Sequence, residues 1–289
     1  MTNDKFKEIR RILILILFFN WLVAFTKLIY GLVTRSASMA ADGVHSFADG
    51  ASNIIGLIGI WAASKPVDED HPYGHKKYET MATLGIAVML FLASFDIIKD
   101  AFLRLFHPVV PEVSAFSFGL MVITFIINVI VMRYEQRKGI ELSSDILACD
   151  SIHTKTDIFV SSAVIATLIS TKIGFPILDT LVAIAIGILI VKSGFEILKK
   201  SSDILCDGEA VKKFRIARVV NKVSGVKSTH NIRTRGRKDD VHVDLHVIVD
   251  TRMHVDTAHD LSHKISEALK EKIPGVTDVI VHIEPHTRK

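Results

Sequence analysis

The sequence predicts an α-helical membrane bundle of six helices followed by a small cytoplasmic α+β domain. Three observations lead there. Apolar residues make up 49% of the chain and its mean hydropathy is +0.37, a high value for a soluble protein. They are gathered into blocks long enough for the roughly 20 residues that a helix needs to cross a hydrocarbon core. After Leu198 the blocks stop, and a mixed helix and strand pattern takes over. The expected division is 1–202 for the membrane part and 203–289 for the soluble part.

The six blocks run over Ile12–Val33, Ala37–Ala63, Met81–Phe106, Phe116–Met132, Ile158–Ile173 with a polar lead-in from Ser143, and Ile177–Leu198. The first follows Lys5, Lys7, Arg10 and Arg11 in the manner of a signal peptide. It lacks a small-residue cleavage site and five further blocks follow, so it reads as a retained helix. Positive charge sets the orientation. Lys65, Lys76, Lys77, Arg133, Arg137, Lys138, Lys199 and Lys200 fall on the side of the amino-terminal cluster, against Arg35, Arg104 and Lys172 on the other. Both termini are therefore expected in the cytoplasm, in a multi-pass protein of the inner (plasma) membrane in contact with lipid. Cys149 and Cys206 have no C-x-x-C spacing and give neither a disulfide framework nor a thiolate site.

In the soluble part, Val211, Phe214, Ala217, Val219 and Val220 predict a helix over Glu209–Val223. A strand around Val226–Arg233, a turn over Gly236–Asp240 and a strict alternation through Val241–Val249 follow. Val255–Ile273 is an amphipathic helix ended by Pro274 and Gly275, and Val276–Glu284 is a last strand. The order αββαβ suits a ferredoxin-like sandwich without its first strand. Lys212, Lys213, Arg215, Arg218 and Lys222 make the first helix basic, which reads as a solvated or headgroup-facing surface and not as a nucleic-acid site.

Ionisable groups inside the apolar blocks carry the functional signal, because they are expensive in a bilayer. The pattern D-x-x-H-x-x-x-D occurs at Asp42, His45 and Asp49 and again at Asp150, His153 and Asp157. Offsets of three and seven put each set on one helical face. Two such helices offer two imidazole nitrogens and two carboxylates, a complete tetrahedral set for zinc. Asp42 and Asp150 fit either a supporting role beside the histidines or helix capping and interfacial solvation. In the loop after the second block, Asp68, His71 and His75 have a spacing that suits a metal and equally a solvated loop. Eight of the thirteen histidines lie in the soluble part: His230, His242, His246, His254, His259, His263, His282 and His286. His242 and His246 share one face of a strand, His282, Glu284 and His286 one face of another, and His259 and His263 one face of a helix. As a cluster they suggest metal binding; singly, each fits a solvated surface.

Together these residues resemble the cation diffusion facilitator family, in its bacterial zinc-transporting branch, over nearly the whole chain. The resemblance implies a homodimer that exports divalent metal from the cytoplasm in exchange for protons, with no enzymatic activity. It implies that His45, Asp49, His153 and Asp157 are the transport ligands. Asp68, His71 and His75 match a loop site, and His230, His246, His282 and Glu284 match a binuclear cytoplasmic site with His259 near it. Lys77 matches a residue paired with an aspartate at the start of the cytoplasmic domain, here Asp203 or Asp207. No long His-rich stretch separates blocks four and five, unlike the vesicular animal and plant transporters.

The ligand chemistry itself points to proton exchange. Zinc requires neutral imidazole and ionised carboxylate, so binding releases protons, and a histidine pKa of about 6.5 lies near working pH. Two His and two Asp favour zinc, transported and also regulatory in the soluble part. Cadmium and cobalt are tolerated by the same set, a manganese site would more naturally be all oxygen and six-coordinate, and export of iron(II), manganese or another divalent metal such as nickel is the alternative to zinc. Two other classes compete with export. A membrane metal sensor or scaffold that binds without transporting is disfavoured by the presence of all four intramembrane ligands. A metallohydrolase needs an open coordination position that four protein ligands do not leave.

Overall fold

The computed structural model describes residues 2–33, 37–106, 115–173 and 177–286. Side chains at 37–49 and 163–183 are outside that description, and His45, Asp49 and Asp42 with them. The chain divides into two compact units, Met1–Ser201 and Ser202–Lys289.

The first unit consists of six long helices: α1 (Thr2–Val33), α2 (Ala37–Ala63), α3 (Lys77–Phe106), α4 (Ala115–Glu141), α5 (Asp145–Ile173) and α6 (Ile177–Leu205). The shortest has 27 residues. At 1.5 Å per residue that is about 40 Å, more than the roughly 30 Å of a hydrocarbon core. Among the described residues, Asp4–Thr26 and Lys77–Lys99 are apolar enough to cross a membrane by composition alone. The helices extend beyond the apolar blocks because their last turns are polar but still helix-forming: α4 continues from Met132 through Glu135 and Lys138 to Glu141.

Two apolar clusters join these helices. Ile9, Leu13 and Ile16 of α1 pack with Ile60 of α2 and with Ile146 and Leu147 of α5. Ile86 and Leu90 of α3 pack with Cys149 of α5 and with Ile190 and Ile197 of α6. Close approach depends on small residues. A Cβ on Gly59 would collide with the Cβ of Ala82, so α2 and α3 touch almost backbone to backbone there.

The second unit contains α7 (Lys213–Val220), β1 (Ser228–Arg237), β2 (Asp240–Val249), α8 (Val255–Lys272) and β3 (Val276–Pro285), with sheet order β1-β2-β3. β1 and β2 form an antiparallel hairpin across Lys238 and Asp239. β1 is longer than its sequence predicts, since Gly236 at φ +103° takes a backbone conformation that lets pairing persist to Arg237. β2 and β3 are parallel. A full ferredoxin-like sheet sets its first strand between these two. Without that strand the last one docks directly on β2, and α8 provides the crossover.

Val241, Val243, Leu245, Val247 and Val249 face a core completed by Ile216 and Val220 of α7 and by Leu261, Ile265 and Leu269 of α8. Their alternation leaves His242, Asp244 and His246 on the opposite face of the sheet. Helices cover one side of the sheet, and the histidines emerge on the other.

Candidate metal sites

Each of the two helices carrying the repeated motif places its His and Asp four residues apart, and so on one face. His45 and Asp49 lie in α2 and His153 and Asp157 in α5. The His153 side chain is buried at 5% exposure, and Asp157 is half-buried. One turn beyond Asp49, Asn53 donates an amide hydrogen to Asp150 Oδ2 of α5, and its own Oδ1 accepts from Asn20 Nδ2 of α1 at 3.1 Å. This chain of hydrogen bonds ties α1, α2 and α5 together at the level of the motif. Asp150 is 1% exposed, so the alternative of capping or interfacial solvation does not hold. A carboxylate of this kind persists in a helix interior only when hydrogen-bonded.

Sequence reasoning missed several polar contacts along the first turns of α5. Thr154 donates to Glu135 Oε2 of α4 at 2.9 Å, and both are buried. Glu79 of α3 accepts from Ser144 Oγ at 2.6 Å and from Ile146 N at 3.3 Å, and so caps the amino terminus of α5 from another helix. Lys200 of α6 reaches Asp145 Oδ1 at 2.7 Å, adding a second tether at that end. The available signal was polarity out of place: Asn53 within an apolar block, Glu79 two residues before one, and Glu135 three residues past another.

In the loop between α2 and α3, Asp68, His71 and His75 each direct a ligand atom so that all three atoms lie within 4.8 Å of one another. Asp68 Oδ1 accepts from the His71 backbone N–H at 2.7 Å and is 3.0 Å from His71 Nδ1, while Oδ2 is 3.3 Å from His75 Nε2. His75 is buried, and its Nδ1 lies 2.9 Å from the Pro66 carbonyl oxygen. That contact is a hydrogen bond only if Nδ1 carries the proton, which leaves Nε2 with its lone pair toward Asp68, the tautomer that a metal requires. Desolvation opposes the charge on Asp68, but hydrogen bonds from the His71 ring and backbone outweigh it and hold the carboxyl below its ordinary pKa. The carboxylate is thus ionised and ready to ligate throughout the neutral range.

In the second unit, register brings the ligands together. His230 of β1, His246 of β2 and His282 of β3 are successive register partners across the sheet. Glu284, two residues along β3 from His282, lies 2.8 Å from His246 Nδ1 through Oε1 and 3.3 Å from His230 Nε2 through Oε2. His230, His246 and Glu284 hold their ligand atoms within 4.8 Å of one another. His282 Nε2 is 3.7 Å from Glu284 Oε1, and its side chain is 62% exposed at the rim. A β-bulge after His230, with Asn231 at φ +50°, brings the end of β1 over this face.

His259 does not join this group within one chain. It sits on the solvent side of α8, its Nε2 3.1 Å from that of His263, while Leu261 and Ile265 of the same helix face the core. The core therefore lies between His259 and the strand histidines. His242 turns toward Asp278 at 3.5 Å. Lys77, Asp203 and Asp207 fall in different units, and no pairing between them is described.

A mixed nitrogen and oxygen set at this spacing suits zinc or a neighbouring transition metal. Replacing His246, the central residue, by Ala is expected to weaken metal binding by the second unit at least about tenfold. Equilibrium dialysis of the full-length protein at neutral pH checks this. Unchanged stoichiometry and affinity would place the metal elsewhere.

Comparison with known proteins agrees with this anatomy. Residues 13–206 match the family described as the cation efflux transmembrane domain, and residues 209–286 match the cytoplasmic domain of cation efflux proteins. An uncharacterized transporter of Methanocaldococcus jannaschii is 32% identical, with 96% of this chain and 99% of the relative covered. The manganese efflux system protein MneS of Bacillus subtilis is 30% identical over 91% of each chain. The cation-efflux pump FieF of Shewanella oneidensis is 28% identical over 90% of this chain and 88% of its own length. Among solved structures, a variant of the MamM CTD aligns at 27% identity and TM-score 0.25, covering 26% of this chain and 92% of the other. With both of its units matched in order by the family's two domains, this chain belongs to the cation diffusion facilitator family of cation efflux proteins.

Proposed function

We propose that this divalent metal exporter carries zinc out of the cytoplasm in exchange for protons, by alternating access around His45, Asp49, His153 and Asp157. The observation that carries the reading is the hydrogen bond from Asn53 to Asp150 beside the buried His153. It holds the two motif-bearing helices together at the level where a shared ion has to sit. Neutral imidazole binds zinc and protonated imidazole rejects it, so the site loads where protons are scarce and empties where they are abundant. The six long helices are read as six spans with both termini cytoplasmic. The working form is a homodimer, and metal at the His230, His246, His282 and Glu284 face of the second unit draws two copies together.

Asp68, His71 and His75 form a further regulatory zinc site in this reading, supported by the tautomer that Pro66 imposes on His75. The test is zinc uptake into proteoliposomes under an imposed pH gradient, with cadmium, cobalt, iron(II) and manganese as competitors. Zinc is expected to be transported only with a counterflow of protons, and manganese to compete weakly. Manganese is the second reading, favoured by the 30% identity to a manganese efflux protein. Manganese outcompeting zinc would establish it in zinc's place.

A further inference from the structure

Residues 210–238 carry ten basic side chains and no acidic one. Their partners divide them. Those on β1 are ion-paired, Arg233 with Asp244 at 3.4 Å, Arg235 with Asp207 at 3.8 Å and Arg237 with Asp239 at 3.2 Å. Arg215 and Arg218 of α7, and Lys222 in the turn that closes it, are exposed and have no ion pair among the described residues. Ile216 and Val220 take the other side of α7 into the core. Phe214 adjoins the three cations. It is the only Phe, Tyr or Trp between residues 202 and 289, yet the core of the second unit is built without it and it is 60% exposed. The Arg218 guanidinium lies over its ring, 5.7 Å from the centroid.

A large aromatic ordinarily belongs inside a domain. Set among unpaired cations on a helix surface, it matches the boundary of a bilayer, where a ring meets the acyl edge while guanidinium and ammonium groups meet phosphates. We infer that this face of α7, formed by Phe214, Arg215, Arg218 and Lys222, docks on the anionic lipid headgroups of the bilayer that the first unit enters. Charge complementarity selects the partner, since an anionic leaflet attracts basic segments within about a Debye length of its surface. The tether favours lipid over an acidic protein or a nucleic acid. Only residues 206–212 separate α6 from α7, a chain that spans at most about 30 Å. A bilayer crossed by α6 therefore stays within reach of α7, at an effective concentration that a free partner does not match.

This inference rests on the reading of α6 as a membrane span, and the experiment separates the two. In the full-length protein, Cys206→Ser removes the exposed thiol and Asn221→Cys adds one at the exposed end of α7, while Cys149 is buried. An environment-sensitive fluorophore is attached at position 221. The protein is reconstituted into vesicles of phosphatidylcholine alone or mixed with phosphatidylglycerol, with spin-labelled lipid as the quencher. Both leaflets have the same composition, so the orientation of insertion does not affect the reading.

The expected result is a blue shift of the emission and quenching by spin-labelled lipid when phosphatidylglycerol is present. Both are lost in phosphatidylcholine alone, and in about 1 M salt, where the Debye length falls to about 3 Å. Combining Arg215→Gln, Arg218→Gln and Lys222→Gln is expected to abolish the dependence on phosphatidylglycerol, and Phe214→Ser to weaken the quenching. All four positions are exposed, so these variants leave the core intact. Equal emission and quenching in the two lipids overturns the docking. So does a shift produced by polyglutamate or duplex RNA but not by phosphatidylglycerol, which would give the face to an acidic protein or a nucleic acid. Zinc uptake by the same vesicles with a fluorophore that stays in water removes the docking and leaves export standing. A protein that inserts into neither kind of vesicle fails the membrane reading itself.

Discussion

His153→Ala is expected to abolish proton-coupled metal flux, with a loss of at least about a hundredfold in proteoliposomes. Substituting a group that merely supports a ligand already costs roughly 10- to 100-fold in metal affinity, so loss of a ligand itself costs more. His153 is buried, and water does not readily take its place. His153→Asp separates metal chemistry from packing. It keeps a donor on the same face of α5 but turns the set toward all oxygen, which favours manganese relative to zinc. The variant is therefore expected to lose zinc flux while gaining ground in manganese competition. Wild-type zinc flux in His153→Ala would remove α5 from the transport site.

Glu79→Ala is expected to give the largest structural effect of any single change around the start of α5. Glu79 is 0% exposed and accepts from both Ser144 Oγ and Ile146 N at the start of α5. Its removal leaves two buried donors without that acceptor, at roughly 1–3 kcal/mol each. A total of about 2–6 kcal/mol would show as a lower melting temperature of the purified protein in detergent. The same change loosens the end of α5 that lies eight residues before His153, or about 12 Å along the helix. Flux is therefore expected to fall with stability. Glu79→Gln keeps one acceptor oxygen and is expected to recover much of the loss. A Glu79→Ala protein that melts with the wild type would show that Lys200 and the apolar packing hold α5 unaided.

The repeated His and Asp motif was legible because charged residues are conspicuous within apolar blocks. Histidine and aspartate at offsets of three and four can share a face only in a helix, and their cost in an apolar block asks for a function. The soluble fold was legible from the strict alternation of Val241–Val249, whose period admits only a strand. His230, His246 and Glu284 were less so, since they lie on three different strands. What joins them is cross-strand register, set by a hairpin across Lys238 and Asp239 and a parallel docking of β3 that local periodicity does not encode. His259 shows the converse: its residue type suits the cluster, but α8 turns it outward because Leu261, Ile265 and Leu269 claim the inward face.

By itself, then, the sequence determined the class of the protein, the break between its two units, the strand and helix faces and the repeated motif from which the transport site is proposed, because each is a matter of composition or of spacing along one element. Only the tertiary structure decided what Asp150 does. The repeat made it the equal of Asp42, a candidate cap or support. Packing of α2 against α5 buried it, with Asn53 as a donor to its carboxylate. Burial and partner choice depend on residues distant in sequence arriving together. In a low-dielectric interior those partners decide whether a carboxyl group is an anion, a ligand or the holder of a proton.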